Sequence, residues 1–293
     1  MNPLLQCTSG ASGPLPTVIV PVHNAFDELQ LCLASLAASL RGETQVIVID
    51  DASSDARIIP LIEAQVRLGG PRWRFLRQPR NLGFIETANL GMRLSHGNCV
   101  LLNSDTEVTP GWLQRLNACL ASDPRIATCT PWSNNGEITS IPGFCHVNPV
   151  PSNAQALADA LAQAIESEGG PGYPEIPTAV GFCMAISRAA IDAVGYFDSA
   201  QFGKGYGEEN DFSLRARASG FRNVLCDDAY VIHHGNRSFG PLGMKPDENS
   251  MRRMLERHPG YLEEIQAFIQ ADPLRSRRER ICHAVIELGH AFE

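Results

Sequence analysis

The chain has 293 residues, a formal net charge of -8, 44% apolar and 19% charged residues. That length supports a sizeable core in one large or two modest domains, and the balance excludes disordered and collagen-like classes. The acidic charge lacks the basic footprint that phosphate-backbone binding requires, so nucleic acid is not expected as a partner.

After a Gly/Ser/Pro-rich leader over residues 1–14, the β-branched run "TVIVPV" (17–22) reads as a buried strand. Asn24 with Asp27 three residues on is a capping-box-like start, followed by Leu29, Cys32, Leu33, Leu36 and Leu40 at helical spacing. "QVIVIDD" (45–51) is the next strand, with Ser54 or Asp55 as candidate cap for a helix carrying Ile58, Ile59, Ile62 and Val66. "RWRFLRQ" (72–78) predicts a third strand, residues 83–95 a helix, and "CVLLNSD" a fourth strand. Strands alternating with helices of this length predict parallel βαβ units in a doubly wound sheet, whose ligands lie beyond the carboxyl ends of the strands. His23 and Asn24, Asp50 and Asp51, and the Asn103 to Asp105 cluster sit at such ends.

Past Pro110 a helix is expected from Trp112 to Ala121, then the strand "RIATCTP" and a Pro/Gly/Asn-rich stretch, 131–152, read as loops over a cleft. A helix near 153–167 precedes the loop "GGPGYPEIP" and the apolar strand "TAVGFCMAIS". "GKGYGEENDFSLRARASGFRNV" is a glycine-rich approach that becomes a helix stopped by Gly220. The tail from Pro241 predicts two further helices. In "RSRRERICHAVIEL", Arg275, Arg277, Arg278 and Arg280 precede Ile281, Val285, Ile286 and Leu288. That pattern suits peripheral contact with an anionic membrane, while a helix packed on the domain is the competing reading. Nine cysteines, mostly in apolar runs and without a Cys-x-x-Cys pair, point to a reducing compartment. No apolar run approaches the roughly 20 residues of a membrane span. "MNPLLQCTSGASGPLP" lacks a signal peptide's basic start, so a cytoplasmic location is expected.

Six pieces in order, "VIVPVHN", "VIVIDDASSD", "RNLGF", "LLNSDTEV", "GYGEENDFSLRARASGFR" and "AYVIHHGNRSFG", resemble the family 2 glycosyltransferases of the GT-A fold over residues 17 to about 240. The resemblance implies a Rossmann-like, mostly parallel sheet with a donor half over 15–110, an acceptor half over 111–240 and a helical tail over 241–293. It also implies inverting transfer of a sugar from a UDP- or dTDP-sugar to a hydroxyl on a glycan or lipid-linked acceptor, in surface polysaccharide or glycoconjugate assembly. Rhamnose, galactose and N-acetylglucosamine are candidate donor sugars.

Residue by residue, the family's Asp-x-Asp motif falls on Asn103, Ser104 and Asp105. Asp105 is then a ligand of Mn2+ or Mg2+ and His233 a second, chosen over His234 by strand alternation. The departure at Asn103 removes a charge and throws more weight on Asp105; an ordinary strand-ending turn is the plainer reading. By the same resemblance Asp51 accepts the N3 proton of uracil or thymine, Pro21 and Val22 border the base, and Arg80 approaches base or diphosphate. Asp50 or Asp51 could instead only cap nearby amides. "GYGEEND" offers Glu208, Glu209 and Asp211 as carboxylates for the general base, with Glu209 in the family's register and Asp211 as the alternative. At least one of the three is expected merely to favour the first helical turn. Two other functions compete: a catalytically silent nucleotide-sugar-binding module, and a sugar-phosphate nucleotidyltransferase. The latter needs a glycine-rich basic loop after the first strand, which "PVHNAFDEL" lacks.

Overall fold

The computed structural model describes residues 14–40, 44–235, 248–287 and 289. The leader 1–13, the "SFG" segment, the start of the tail and Leu288 lie outside the described residues.

An eight-stranded sheet organises the chain, its strands lying in the order Trp73–Arg77, Val46–Asp50, Thr17–Val22, Cys99–Leu102, Cys183–Ile186, Ile126–Trp132, Arg222–His233 and Thr106–Val108. β1 (Thr17–Val22), β2 (Val46–Asp50), β3 (Trp73–Arg77) and β4 (Cys99–Leu102) form its parallel half. The helices α1 (Phe26–Ser39), α2 (Ile58–Gly69) and α3 (Phe84–Leu94) connect them in turn. Every residue of β1, β2 and β4 is buried, as continuous apolar runs require when helices cover both faces. Leu29, Cys32, Leu33 and Leu36 of α1 pack on one face, and Ile85, Ala88 and Met92 of α3 on the other.

The second half is mixed. Chain order continues with β5 (Thr106–Val108), α4 (Trp112–Ser122), β6 (Ile126–Trp132), a 3-10 turn (Glu137–Thr139) and α5 (Ala154–Ser167). It ends with β7 (Cys183–Ile186), α6 (Arg188–Val194), α7 (Ser199–Phe202), α8 (Glu208–Ala218) and β8 (Arg222–His233). β7 runs antiparallel to both β4 and β6, whereas β8 runs parallel to β6 and then antiparallel to β5. A register shift after Pro131 bends β8 between Cys226 and Tyr230, and the bend leaves Asp227 free to take Arg277 and the amides of Gly172 and Tyr173.

The tail holds three helices where two are expected from sequence: α9 (Glu248–Arg257), α10 (Tyr261–Ala271) and α11 (Arg275–Glu287). The break lies at Asp272, which takes a left-handed φ of 40° and pairs with buried Arg278. Ile281 and Val285 are buried in a core shared with Leu157, Leu161 and Ile165 of α5. Arg275 and Arg278 pair with Asp272, Arg277 with Asp227, and Arg280 with Glu168. Ile281, Val285 and all four arginines are thus engaged within the fold, while Ile286 is exposed, which favours the packed-helix reading over the membrane-surface one. Among the described residues no helix is long and apolar enough to cross a membrane.

Candidate active site

The carboxyl ends of β1, β2 and β4 open into a cleft of about 690 Å³. Its walls are Pro21, Val22, His23 and Asn24, then Asp51 and Ser54, Asn81 and Gly83 of the turn before α3 and Phe84 and Thr87 of its first turn, the cluster Asn103, Ser104 and Asp105, and Lys204.

The first two strand ends are laced together. Asn24 has a left-handed φ of 58°, so it does not cap α1; Ala25 occupies that position without a side-chain bond. The Asn24 Oδ1 instead accepts from the amides of Ser54 at 2.9 Å and Asp55 at 3.1 Å, and its own amide donates to Ser53 Oγ at 2.8 Å. His23 Nδ1 lies 3.0 Å from the Asp51 carbonyl, which can only accept, so that nitrogen carries the hydrogen.

The two adjacent aspartates part company because successive side chains leave a strand in opposite directions. Asp51 lines the cleft. Its Oδ1 accepts from Gln78 Nε2 at 3.1 Å and the Leu82 amide at 2.7 Å, and its Oδ2 from the Gly83 amide at 2.8 Å. One acceptor position on Oδ2 is left for a ligand. Asp50 is fully buried outside the cleft lining: its Oδ1 holds the Ser53 amide at 3.0 Å, and Arg77 Nε lies 3.3 Å from Oδ2 as an ion pair without hydrogen-bond alignment. Asp50 is therefore a turn residue. Arg80 is exposed and outside the lining; the cation at the cleft is Lys204.

Register explains how residues 128 apart in sequence meet. β5 pairs with β8 so that Thr106 sits opposite His233, which brings that histidine beside Asp105. His233 Nδ1 donates to the Asn135 carbonyl at 2.7 Å, so its Nε2 offers a lone pair, 3.6 Å from Asp105 Oδ1. Asn134 clamps the backbone on both sides of that ring, and Phe182 stacks on it with centroids 5.2 Å apart. Burial alone would lower the His233 pKa, but Asp105, the Asn135 carbonyl and Glu137 together raise it, so the recess favours positive charge. His234 turns away to Glu107, 2.7 Å from its Oε1. Two converging donors, one carboxylate and one imidazole, suit a divalent ion of the Mn2+ kind. Among the described residues no group of three or more His, Cys, Asp or Glu is placed to hold a metal, so diphosphate and water oxygens would have to complete such a shell.

Glu208 and Glu209 open α8 behind Gly207, whose φ of 102° a side chain would strain. Glu208 is buried and one carboxyl oxygen lacks a hydrogen-bond partner; burial first and the neighbouring Glu209 second push its pKa well up. Glu209 is only partly covered and packs over Gly181, next to the Phe182 ring on His233. Burial pushes its carboxyl up to about 7, with Glu137 adding to the rise and backbone amides opposing it. Asp211 is fully buried and occupied by Arg215 Nε at 2.7 Å, His258 Nε2 at 2.9 Å and Arg257 at 3.2 Å. It binds α8 to α9 and does not face the cleft.

Sequence reasoning missed Lys204, Asn81 and Glu137. Glu137 sits on the 3-10 turn with a left-handed φ of 50°, exposed at the recess near His233 and Glu209. Protein around it raises its carboxyl by burial, an effect its exposure tempers.

The fold has known counterparts. A structure of GalNAc-T7 with UDP, GalNAc and Mn2+ superposes with a TM-score of 0.64 at 18% identity, covering 92% of this chain and 55% of that one. The mannosyltransferase PcManGT from Pyrobaculum calidifontis, in complex with GDP-Man and Mn2+, gives a TM-score of 0.57 at 15% identity, covering 94% and 75%. An N-acetylglucosaminyltransferase of Mesorhizobium japonicum is 35% identical over 243 residues, 80% of this chain and 54% of that protein. An uncharacterised Mycobacterium tuberculosis protein is 29% identical over 164 residues, 54% of this chain and 56% of its own length. The chain spans between 25% and 56% of the length of the curated relatives it matches. The model of the Glycosyl transferase family 2 matches residues 17–195, and with its GT-A architecture the chain belongs to that family.

Proposed function

We propose that the protein is an inverting glycosyltransferase that takes a UDP- or dTDP-sugar in the cleft and passes the sugar to a hydroxyl of a glycan or lipid-linked acceptor. The observation that supports this reading is that Asp51 and Asp105 line one cleft at the strand ends, with His233 3.6 Å from Asp105; Glu209 lies outside that lining, over Gly181, the chain neighbour of the Phe182 that stacks on His233. Residues 15–110 form the donor half and residues 111–240 the acceptor half. Asp51 Oδ2 has the remaining lone pair for the N3–H of uracil or thymine, a hydrogen that cytosine lacks at that edge. Asp105 and His233 would hold the divalent ion, which when bound neutralises the diphosphate leaving group.

Glu209 accepts the acceptor hydroxyl's proton as that oxygen forms its bond to the anomeric carbon. The bond from that carbon to the diphosphate oxygen breaks, and the electron pair leaves with the nucleoside diphosphate. A carboxyl poised near neutrality suits this proton transfer, because it ionises at working pH yet stays basic enough to take a proton. Asn103 adds a neutral polar group where the family's motif has a carboxylate, so the first metal charge falls on Asp105 alone.

The candidate sugars are rhamnose, galactose and N-acetylglucosamine, the last supported by the Mesorhizobium relative's name. A thermal-shift panel of UDP-, dTDP-, GDP- and CDP-sugars with Mn2+ or Mg2+ tests the assignment, since a ligand of the native state raises apparent stability by mass action. Uracil and thymine nucleotides should raise the melting temperature most; equal shifts from all four bases, or none from any, would refute the donor assignment.

A further inference from the structure

We infer that Lys204 is the donor-diphosphate clamp of this cleft, carried on a strap that ends at the base. The inference rests on the donor reading above. Lys204 is the only lysine or arginine among the described residues lining the cleft. Charge balance asks for such a group: a diphosphate diester brings two negative charges, a divalent ion cancels them, and the carboxyl side chains of Asp51 and Asp105 in the lining add negative charge of their own. An exposed ammonium offsets part of it.

The placement is built rather than accidental. The Lys204 carbonyl accepts the Phe84 amide at 3.0 Å, and its Nζ donates to Asn81 Oδ1 at 3.0 Å. A Cβ built at Gly83 would stand 2.8 Å from Lys204 Cα, so a side chain there would push the strap off the cleft. Gly83 is itself held by Asp51 Oδ2 at 2.8 Å. The residue proposed to read the base and the residue proposed to hold the phosphates therefore grip one turn from two sides. The Asn81 bond uses one of three ammonium hydrogens and leaves two for phosphate oxygens. Five residues on, the same segment delivers Glu209, so holding the diphosphate also fixes the approach to the base.

The experiment is calorimetric titration of the full chain with UDP, and competition by uridine, in buffer with Mn2+, for wild type, Lys204→Gln and Lys204→Arg. A parallel set with GDP and guanosine makes the result independent of base choice. Lys204→Gln should weaken the diphosphate roughly tenfold or more, the range for losing a charge-assisted contact, while nucleoside affinity stays at the wild-type value. Lys204→Arg should recover most of the loss. Equal weakening of diphosphate and nucleoside would mean that Lys204 only shapes the cleft, and unchanged diphosphate affinity would show no contact; either overturns the inference and leaves the donor reading standing. If wild type binds neither diphosphate, the donor reading fails, and the inference with it.

Discussion

Replacing Glu209 by Gln keeps the shape of the side chain and removes the proton acceptor. Because the carboxyl is pushed up to about 7, roughly half of it is ionised at pH 7 and about one part in a hundred at pH 5. Donor hydrolysis in the absence of acceptor, followed as nucleoside diphosphate release, should therefore rise roughly fifty-fold between those pH values and level off above about pH 8. Glu209→Gln should lower turnover by roughly 10²- to 10⁴-fold, flatten that rise and leave donor affinity intact.

The same shift has a stability signature. A carboxyl whose folded pKa lies above its ordinary 4.5 stabilises fully below 4.5 and loses that contribution as pH climbs through about 7. The Gln variant does not titrate, so it should match wild type in acid and exceed it above neutrality, by at most about 3 kcal/mol. Near-normal turnover in Glu209→Gln, together with an Asp211→Asn variant that binds donor but cannot turn it over, would refute the assignment and make Asp211 the base.

Asp105→Ala should abolish metal-dependent turnover and cost more than Asn103→Ala, because only the former removes a charged ligand; full activity in excess chelator would contradict both. Asp211→Asn should lower unfolding free energy by about 3–5 kcal/mol in denaturant melts, since it strands Arg215 and Arg257 beside a buried neutral amide. Ile281→Ala should cost about 2–5 kcal/mol by the same measurement, as expected for a residue 1% exposed in a packed core. Neither full-length protein nor a version shortened within α11 should co-sediment with anionic vesicles, given the ion pairs on all four arginines.

Much of the architecture was readable because β1, β2 and β4 are buried on both faces and so appear as unbroken apolar runs. β5 escaped: three residues, with Glu107 turned to His234, carry no periodic signal. Yet β5 sets the site, for its pairing with β8 brings His233 to Asp105. Adjacent aspartates at a strand end look alike in sequence; only the turn at Ser53 and Arg77 against the turn at Leu82 and Gly83 separates Asp50 from Asp51. Glu208, Glu209 and Asp211 were equally ambiguous, since two of the three partners that occupy Asp211, Arg257 at the end of α9 and His258 just beyond it, lie some 46 residues downstream at the nearest. Lys204 and Glu137 reach the site through left-handed or glycine-flanked turns, where no helical or strand period exists to signal a facing side.

The most direct measurement is the anomeric configuration of the first sugar product, read by proton NMR before mutarotation, using the sugar nucleotide that stabilises the protein most. A single displacement assisted by Glu209 should give the inverted anomer, in wild type and not in Glu209→Gln. A retained anomer, or product formation indifferent to Glu209, would contradict the proposed mechanism.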